Sequence, residues 1–450
     1  MVQGPWLIVI LAVSIVFIIL ATSRFKLHPF IALLLASYFV GFSSGMSGVD
    51  IAKTISQGFG GILTYIGLVI ILGTIIGVFL EKSGAAIKLA EVVLKLIGKK
   101  HPALGMSIVG YIVSIPVFCD SAFVILSSLK RSLVQKTGQS AVAMSVALAT
   151  GLYATHTLVP PTPGPIAAAG NLGLDDQLGL VILFGLFISI FSMFAGYLWA
   201  IFVGKKLISG EDVQSAAGDL RQAAPIKLPG AAVSILPILA PIFLICLGSI
   251  ARFPTKPFGD SFVYQLFDLL GNPLNALIIG FVFATFLAPS FDLALISEWV
   301  GDGIKASASI IIITGAGGAF GAVLKATNIG DYLGQVLAGL GLGILLPFII
   351  AAALKTAQGS STVALVTTSA LLAPMLAGLG LDSTMGRVLS VMAIGAGAMT
   401  VSHANDSFFW VVSQFSKMDV STAYRSQTLA TLIQGIVTII IVSILAWIFV

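Results

Sequence analysis

The chain has 450 residues, 58% of them hydrophobic and only 9% charged. Soluble domains carry about 25% charged residues, so the composition excludes a soluble domain with a single anchor and specifies a polytopic membrane protein. The net charge of +5 comes without aromatic–basic interleaving and makes no case for nucleic acid, while Cys119 and Cys246 both lie in apolar runs and argue against a disulfide framework.

Apolar runs of roughly 17–25 residues are read as spans. The first covers about 5–22. It has neither a basic n-region nor a small-residue cleavage site, so it is read as a retained span rather than a signal peptide. The second covers about 29–45. A polar Gly/Ser connector occupies 46–60, and a third span about 61–80. GAAIKLAEVVLKLIGKK follows, with Lys88, Glu91 and Lys95 away from its Leu/Val stripe, the pattern of an interfacial amphipathic helix. Residues 103–128 are apolar but broken at Pro116 and Asp120, and a basic loop follows them. Residues 140–170 are broken at the run Pro160–Pro165, four prolines in six residues. A further span covers about 177–203.

The segment 205–228 is the longest polar stretch. It is read as a cytoplasmic linker between two halves, 1–204 and 229–450. The second half offers spans at about 229–250, 263–287 and 307–324, then an interfacial stretch. Broken runs follow at about 342–375 and 387–412, and a last span at 428–450. GTIIGVFLEKSG from Gly73 aligns with GGAFGAVLKATN from Gly317, so Gly73/Gly317 and Gly77/Gly321 coincide. Thr155-His156 similarly matches Ser402-His403. Weak internal repeats of this kind are common in carriers.

Lys and Arg mark cytoplasmic loops. Both flanks of 103–128 are basic, with Lys82, Lys88, Lys95, Lys99 and Lys100 before and Lys130, Arg131 and Lys136 after. A segment that enters and leaves on one side is a re-entrant hairpin. The flanks of 342–375 carry only Lys325 and Arg387, and are expected outside. The fold class expected is therefore all-α, with about ten transmembrane spans and two re-entrant hairpins in two inverted repeats with broken helices. Both termini fall outside.

Five ionisable residues interrupt apolar runs: Asp120, His156, Lys355, His403 and Asp406. Each is costly at membrane depth and marks function by default. Asp120 suits a proton carrier or a hydroxyl acceptor, or a solvated helix cap. His156 and His403 suit substrate binding or proton relay, or bonding to carbonyls freed at a break. Thr162 and Gly164 lie in the proline run, where a following half-helix offers free N–H groups to an anion. Gly359, Ser360, Ser361 and Thr362 form the second tip, able to cap a helix or hold a carboxylate. Lys355 either neutralises an anion or snorkels. Ser402, Asn405, Asp406 and Ser407 supply donors and acceptors for a polyhydroxylated ligand, although Asp406 also suits a cap.

PVFCDSAFVILSSL, ATHTLVPPTPGPIAAAG, AQGSSTVALVTTSALLAP and SHANDSFFWV, four motifs in order across the chain, resemble the gluconate permease family of the ion transporter superfamily. The resemblance implies uptake of gluconate, related sugar acids or D-serine with protons across the bacterial inner membrane. It also implies opposed hairpins, a scaffold that forms a homodimer, and vertical movement of a hairpin-bearing domain. By the same resemblance Asp120 and Ser121, the break His156–Gly164, the tip Gly359–Thr362 and the break His403–Asp406 enclose the substrate.

The expected function is a secondary carrier taking up a small hydroxylated monocarboxylate with protons, most simply gluconate or a related sugar acid. D-serine or another small hydroxy or amino acid, and sodium coupling, are the alternatives. Asp120, His156, His403 and Asp406 are the candidate proton carriers. The chain has no GxxxxGK[ST] motif for ATP, and its His residues sit in no HExxH context. No enzyme activity, cofactor or metal site is therefore expected. The partners are a small anion, protons and lipid.

Overall fold

In a bilayer an α-helix satisfies its own backbone, and a broken one must find partners in the protein. The computed structural model describes residues 6–97, 101–216, 228–251, 258–259, 261–289, 291–327, 342–403 and 406–450, and every regular element among them is helical. The first half runs α1 (Trp6–Ser23), α2 (Pro29–Ser43), α3 (Gly48–Lys82), α4 (Ala85–Ile97), α5 (Pro102–Val113), α6 (Cys119–Thr137), α7 (Ala141–Leu158), α8 (Pro163–Asn171) and α9 (Leu178–Gly204). A short α10 (Gly210–Ala216) follows. The second half runs α11 (Ala231–Ala251), α12 (Phe262–Leu270), α13 (Pro273–Thr285), α14 (Leu293–Ala326), α15 (Leu345–Gln358), α16 (Ser361–Leu372), α17 (Thr384–Met399), α18 (Ser407–Phe415), α19 (Val420–Ala423) and α20 (Leu429–Phe449).

Among the described residues five helical stretches are long and apolar enough to cross a membrane, or seven if each of two bent pairs counts as one. Helix α9 has the side-chain distribution of a lipid-facing span. Leu183, Phe187, Ile190, Phe194, Leu198 and Phe202 form an exposed apolar stripe at helical spacing. Gly185, Ser189, Ser192, Gly196 and Ala200 turn inward, the small residues that let membrane helices approach closely. Helix α7 is the opposite case: all its residues from Ala141 to Leu158 are buried in protein.

The helices break at 114–118, 159–162, 359–360 and 400–406, and Asp120, expected at the first break, already belongs to the first turn of α6. Helices α5 and α6 form one hairpin and α15 and α16 the other, while α7/α8 and α17/α18 are the broken pairs. Freed backbone groups at the second break are met by the C-terminal helical segment. The Ser402 N–H donates to Thr431 Oγ1 at 2.9 Å, and Thr428 Oγ1 donates to the Ser402 carbonyl at 2.6 Å.

Four expectations need correction. The connector 46–60 is not a loop. It is the first part of α3, which bends by 49° between Thr64 and Gly67. The span read at 307–324 is likewise the end of a longer α14. The run 263–287 is two helices at 67°, split where Asn272 caps the Leu274 N–H at 3.0 Å and Pro273 opens α13. The basic loop after residue 128 is helical, because α6 continues to Thr137 and buries Lys130. The interfacial stretch expected after α14, and the linker from 217 to 227, lie outside the described residues. Residues 210–216 of the linker form α10 and dock against α6 and α7.

Helices α3 and α14 pack along one another in opposite directions. Gly58 lies against Gly318 and Ala322, Gly303 against Ile75, and Lys82 pairs with Asp302 at 2.5 Å.

Candidate functional site

Three half-helices begin at one cavity of about 260 Å³, lined by residues of both hairpin tips, of α7 and of the second break. Asp120 belongs to the first turn of α6. Its N-cap Phe118 supplies no side-chain acceptor, so the leading N–H groups of that helix have none from the cap. Gly359 closes the second hairpin at φ +90°, a left-handed conformation that glycine adopts without strain. Ser360 Oγ then accepts from Val363 N at 3.3 Å. The first N–H groups of α16, at Ser361 and Thr362, have no intrahelical acceptor by the geometry of a helix start. Asp406 caps α18 through Oδ1 to Phe408 N at 3.1 Å. Three helix N-termini border one cavity, one of them, that of α18, already capped by a carboxylate, and such ends are favourable surroundings for an anion.

The cavity also holds buried charge. Lys355 Nζ, fully buried, bonds Asp406 Oδ2 at 2.6 Å and the Gly359 carbonyl. Ser402 Oγ donates to the same Asp406 oxygen at 2.5 Å. The pair ties the second hairpin tip to the second break and neutralises both charges. Asp120 is the cavity carboxylate without a lysine, and its Oδ1 is buried without a hydrogen-bond partner.

Of the residues expected at the site, Asp120, His156, Gly359, Ser360, Ser361, Thr362 and Asp406 line this one cavity. Ser121 follows in the first turn of α6. Thr162 and Gly164 stand behind the site. Thr162 Oγ1 donates to the Val159 carbonyl at 2.6 Å. A Cβ on Gly164 would come within 2.6 Å of Leu365, so this glycine lets α8 seat against α16. The N-terminus of α8 therefore does not join the other three. His403 turns away: its Nε2 lies 2.8 Å from the Thr356 carbonyl on α15. Asn405 lies outside the described residues. Lys355 does not snorkel; its ammonium is held by the Asp406 carboxylate.

Phe118, Cys119, Tyr153 and Phe408 complete the wall and were not singled out by the sequence reading. Tyr153 stacks on Phe408 at 5.1 Å and lies parallel to His156 at 6.3 Å. The available signal was its place one turn before His156 on an otherwise small-residue helix. A larger cavity of about 510 Å³ opens at the far ends of α8 and α16 beside Lys325 and Arg387, and collects none of the predicted residues.

Comparison with known proteins agrees with this architecture. A gluconate permease of Pseudomonas aeruginosa is 32% identical over 440 residues, covering 96% of each chain. The D-serine transporter DsdX of Escherichia coli is 34% identical over 96% of this chain and 97% of its own. A low-affinity gluconate transporter of Escherichia coli is 30% identical over 95% of each. Among solved structures, the Alcanivorax borkumensis YdaH transporter shares the fold with a TM-score of 0.63 at 17% identity, over 89% of this chain and 88% of its own. The Neisseria gonorrhoeae MtrF structure aligns with a TM-score of 0.61 at 15% identity, over 88% and 84%. With the GntP family permease model matching residues 6–448, the chain belongs to that family of multi-pass membrane transport proteins and is not an enzyme.

Proposed function

We propose that this permease is a proton-coupled symporter of the bacterial inner membrane. It takes up a small hydroxylated monocarboxylate, gluconate or a related sugar acid in first place and D-serine as the alternative. The observation that carries the reading is the convergence of three helix N-termini with Asp120 on one cavity. The helix ends favour a carboxylate. An ionised Asp120 would oppose it at close range, whereas a protonated Asp120 would donate to it. Anion and proton then load together, and neither loads as favourably alone. The gluconate and D-serine relatives support the substrate range.

Inverted repeats and alternating access are part of the same reading. The antiparallel course of α3 and α14, whose Gly73/Gly317 and Gly77/Gly321 coincide in the repeat, supports it. So does the basic flank around the first hairpin. The proposal keeps about ten spans, two hairpins, both termini outside and a homodimer formed through the scaffold.

The test is uptake into proteoliposomes with imposed gradients. Uptake of labelled gluconate or D-serine should fall as external pH rises and collapse with a protonophore. Full sodium-dependent uptake in the presence of protonophore would refute proton coupling and leave the site reading in place.

A further inference from the structure

Three polar atoms of residues that line the cavity are buried and make no well-formed hydrogen bond among the described residues: Asp120 Oδ1, His156 Nδ1 and Tyr153 Oη, the last with the Ser361 hydroxyl beside it. A buried polar group left without a partner is costly, because it gives up water and gains nothing in return. Three such groups in the residues around one cavity point to a ligand that supplies their partners. Asp120 and His156 carry roles in the reading above. Tyr153 has none.

We propose that the Tyr153 hydroxyl reads a hydroxyl group on the substrate and is the specificity determinant for hydroxylated over deoxy ligands. This rests on the carrier reading of the same cavity. Tyr153 sits on α7, which is buried along its whole length. The ring is fixed by its stack on Phe408 and by Lys355 Nζ, 5.7 Å from the ring centroid. Both supports belong to the second break and the second hairpin. The hydroxyl is therefore held on a rigid platform beside Ser361 and does not have to be ordered when ligand arrives. A tyrosine retained for packing alone would serve as well as phenylalanine, which keeps the ring and drops the hydroxyl. A phenol can both donate to and accept from an alcohol. A methylene in place of that alcohol leaves the phenol unpaired, and sites built this way reject the deoxy analogue.

The experiment is a binding comparison on purified full-length protein. Wild type and Tyr153→Phe are titrated with D-gluconate and its monodeoxy analogues, and with D-serine and D-alanine. Wild type should bind the hydroxylated member of at least one pair about tenfold more tightly, the scale of one neutral hydrogen bond. Tyr153→Phe should erase that preference by weakening the hydroxylated ligand while leaving the deoxy ligand unchanged. A Phe408→Leu variant, which removes the stack that fixes the ring and keeps the hydroxyl, should weaken the hydroxylated ligand and shrink the preference without erasing it. Equal weakening of both members by Tyr153→Phe, or no change in either, overturns the proposal. If wild type binds none of these ligands, the substrate class falls first and the proposal falls with it.

Discussion

Asp120 and Asp406 are both carboxylates at the rim of one cavity, yet their surroundings assign them different tasks. Asp406 accepts from Lys355, Ser402 and the Phe408 N–H, so every change in its charge disturbs a cap and an ion pair together. Asp120 has one oxygen without a partner and is free to change protonation at less structural cost. Replacing Asp120 with Asn should abolish accumulation against a gradient, leaving internal substrate no higher than external. Counterflow of labelled substrate should persist, because an amide can still donate to an anion. Loss of counterflow and accumulation together would make Asp120 a binding residue alone. Lys355→Met leaves a buried carboxylate unpaired and should destabilise the protein by about 3–5 kcal/mol, read as a lower unfolding midpoint. Adding Asp406→Asn should recover most of that loss, since the amide oxygen still caps Phe408. The residues themselves were legible in the sequence because charge is rare in an apolar chain. Their partnerships were not, since 51 positions separate Lys355 from Asp406 and no local pattern joins them.

Among the elements, α18 is the one on which both hairpins converge. Its N-terminus is held by Lys355 of α15 through Asp406. Its C-terminus is held by Lys130 of α6, whose ammonium reaches Ser416 Oγ at 3.1 Å and the Phe415 carbonyl at 3.5 Å. Glu211 of α10 completes the second clamp, 2.7 Å from Lys130. A lysine at the C-terminal carbonyls of a helix is favourably placed for the dipole. Two close glycine contacts show which interfaces tolerate change. A Cβ on Gly151 would lie 2.1 Å from the Ser107 carbonyl, between α5 and α7, and one on Gly77 would lie 2.6 Å from the Pro116 carbonyl, between α3 and the first hairpin tip. Gly151→Ala should cost about 1–3 kcal/mol of stability by overpacking, measured as a lower unfolding midpoint and a smaller folded fraction. Gly77→Ala should leave ligand binding intact and slow uptake, because the wedge sits where a hairpin-bearing domain would pass α3. If Gly77→Ala transports at the wild-type rate, the hairpin does not move against that helix. The start of α3 carries a local signal: Ser47 caps it by accepting from the Asp50 N–H at 3.2 Å, and its hydroxyl donates to the Asp50 carboxylate at 2.6 Å, in an S-x-x-D sequence typical of a helix start. The hydropathy window hid it, because polar residues outside the bilayer can continue a helix that began as a cap. Nothing local marked α6 as continuing through Lys130, whose burial depends on Glu211 some 81 positions away.

At the scale of the whole molecule, the depth of the cavity decides what kind of transport is possible. At 1.5 Å per residue, the 12 residues of α16 carry the chain about 18 Å away from the cavity, and the 19 residues of α6 about 28 Å. On the proposed reading, in which the two helices lead to opposite faces, these lengths set the site within the roughly 30 Å of hydrocarbon. A carrier must then present it to one side at a time. A cysteine at Ser361, in a chain with Cys119 and Cys246 replaced by Ala, tests this directly. In right-side-out and inverted vesicles alike, a membrane-impermeant thiol reagent should label it slowly, and saturating substrate should protect it. A proton gradient should shift the labelling rate in opposite directions for the two orientations, because it redistributes the protein between its two states and changes neither state. Labelling from one side only, at a rate that substrate and gradient both leave unchanged, would mean that the two hairpin tips meet in a fixed vestibule and that the cavity does not cross the membrane.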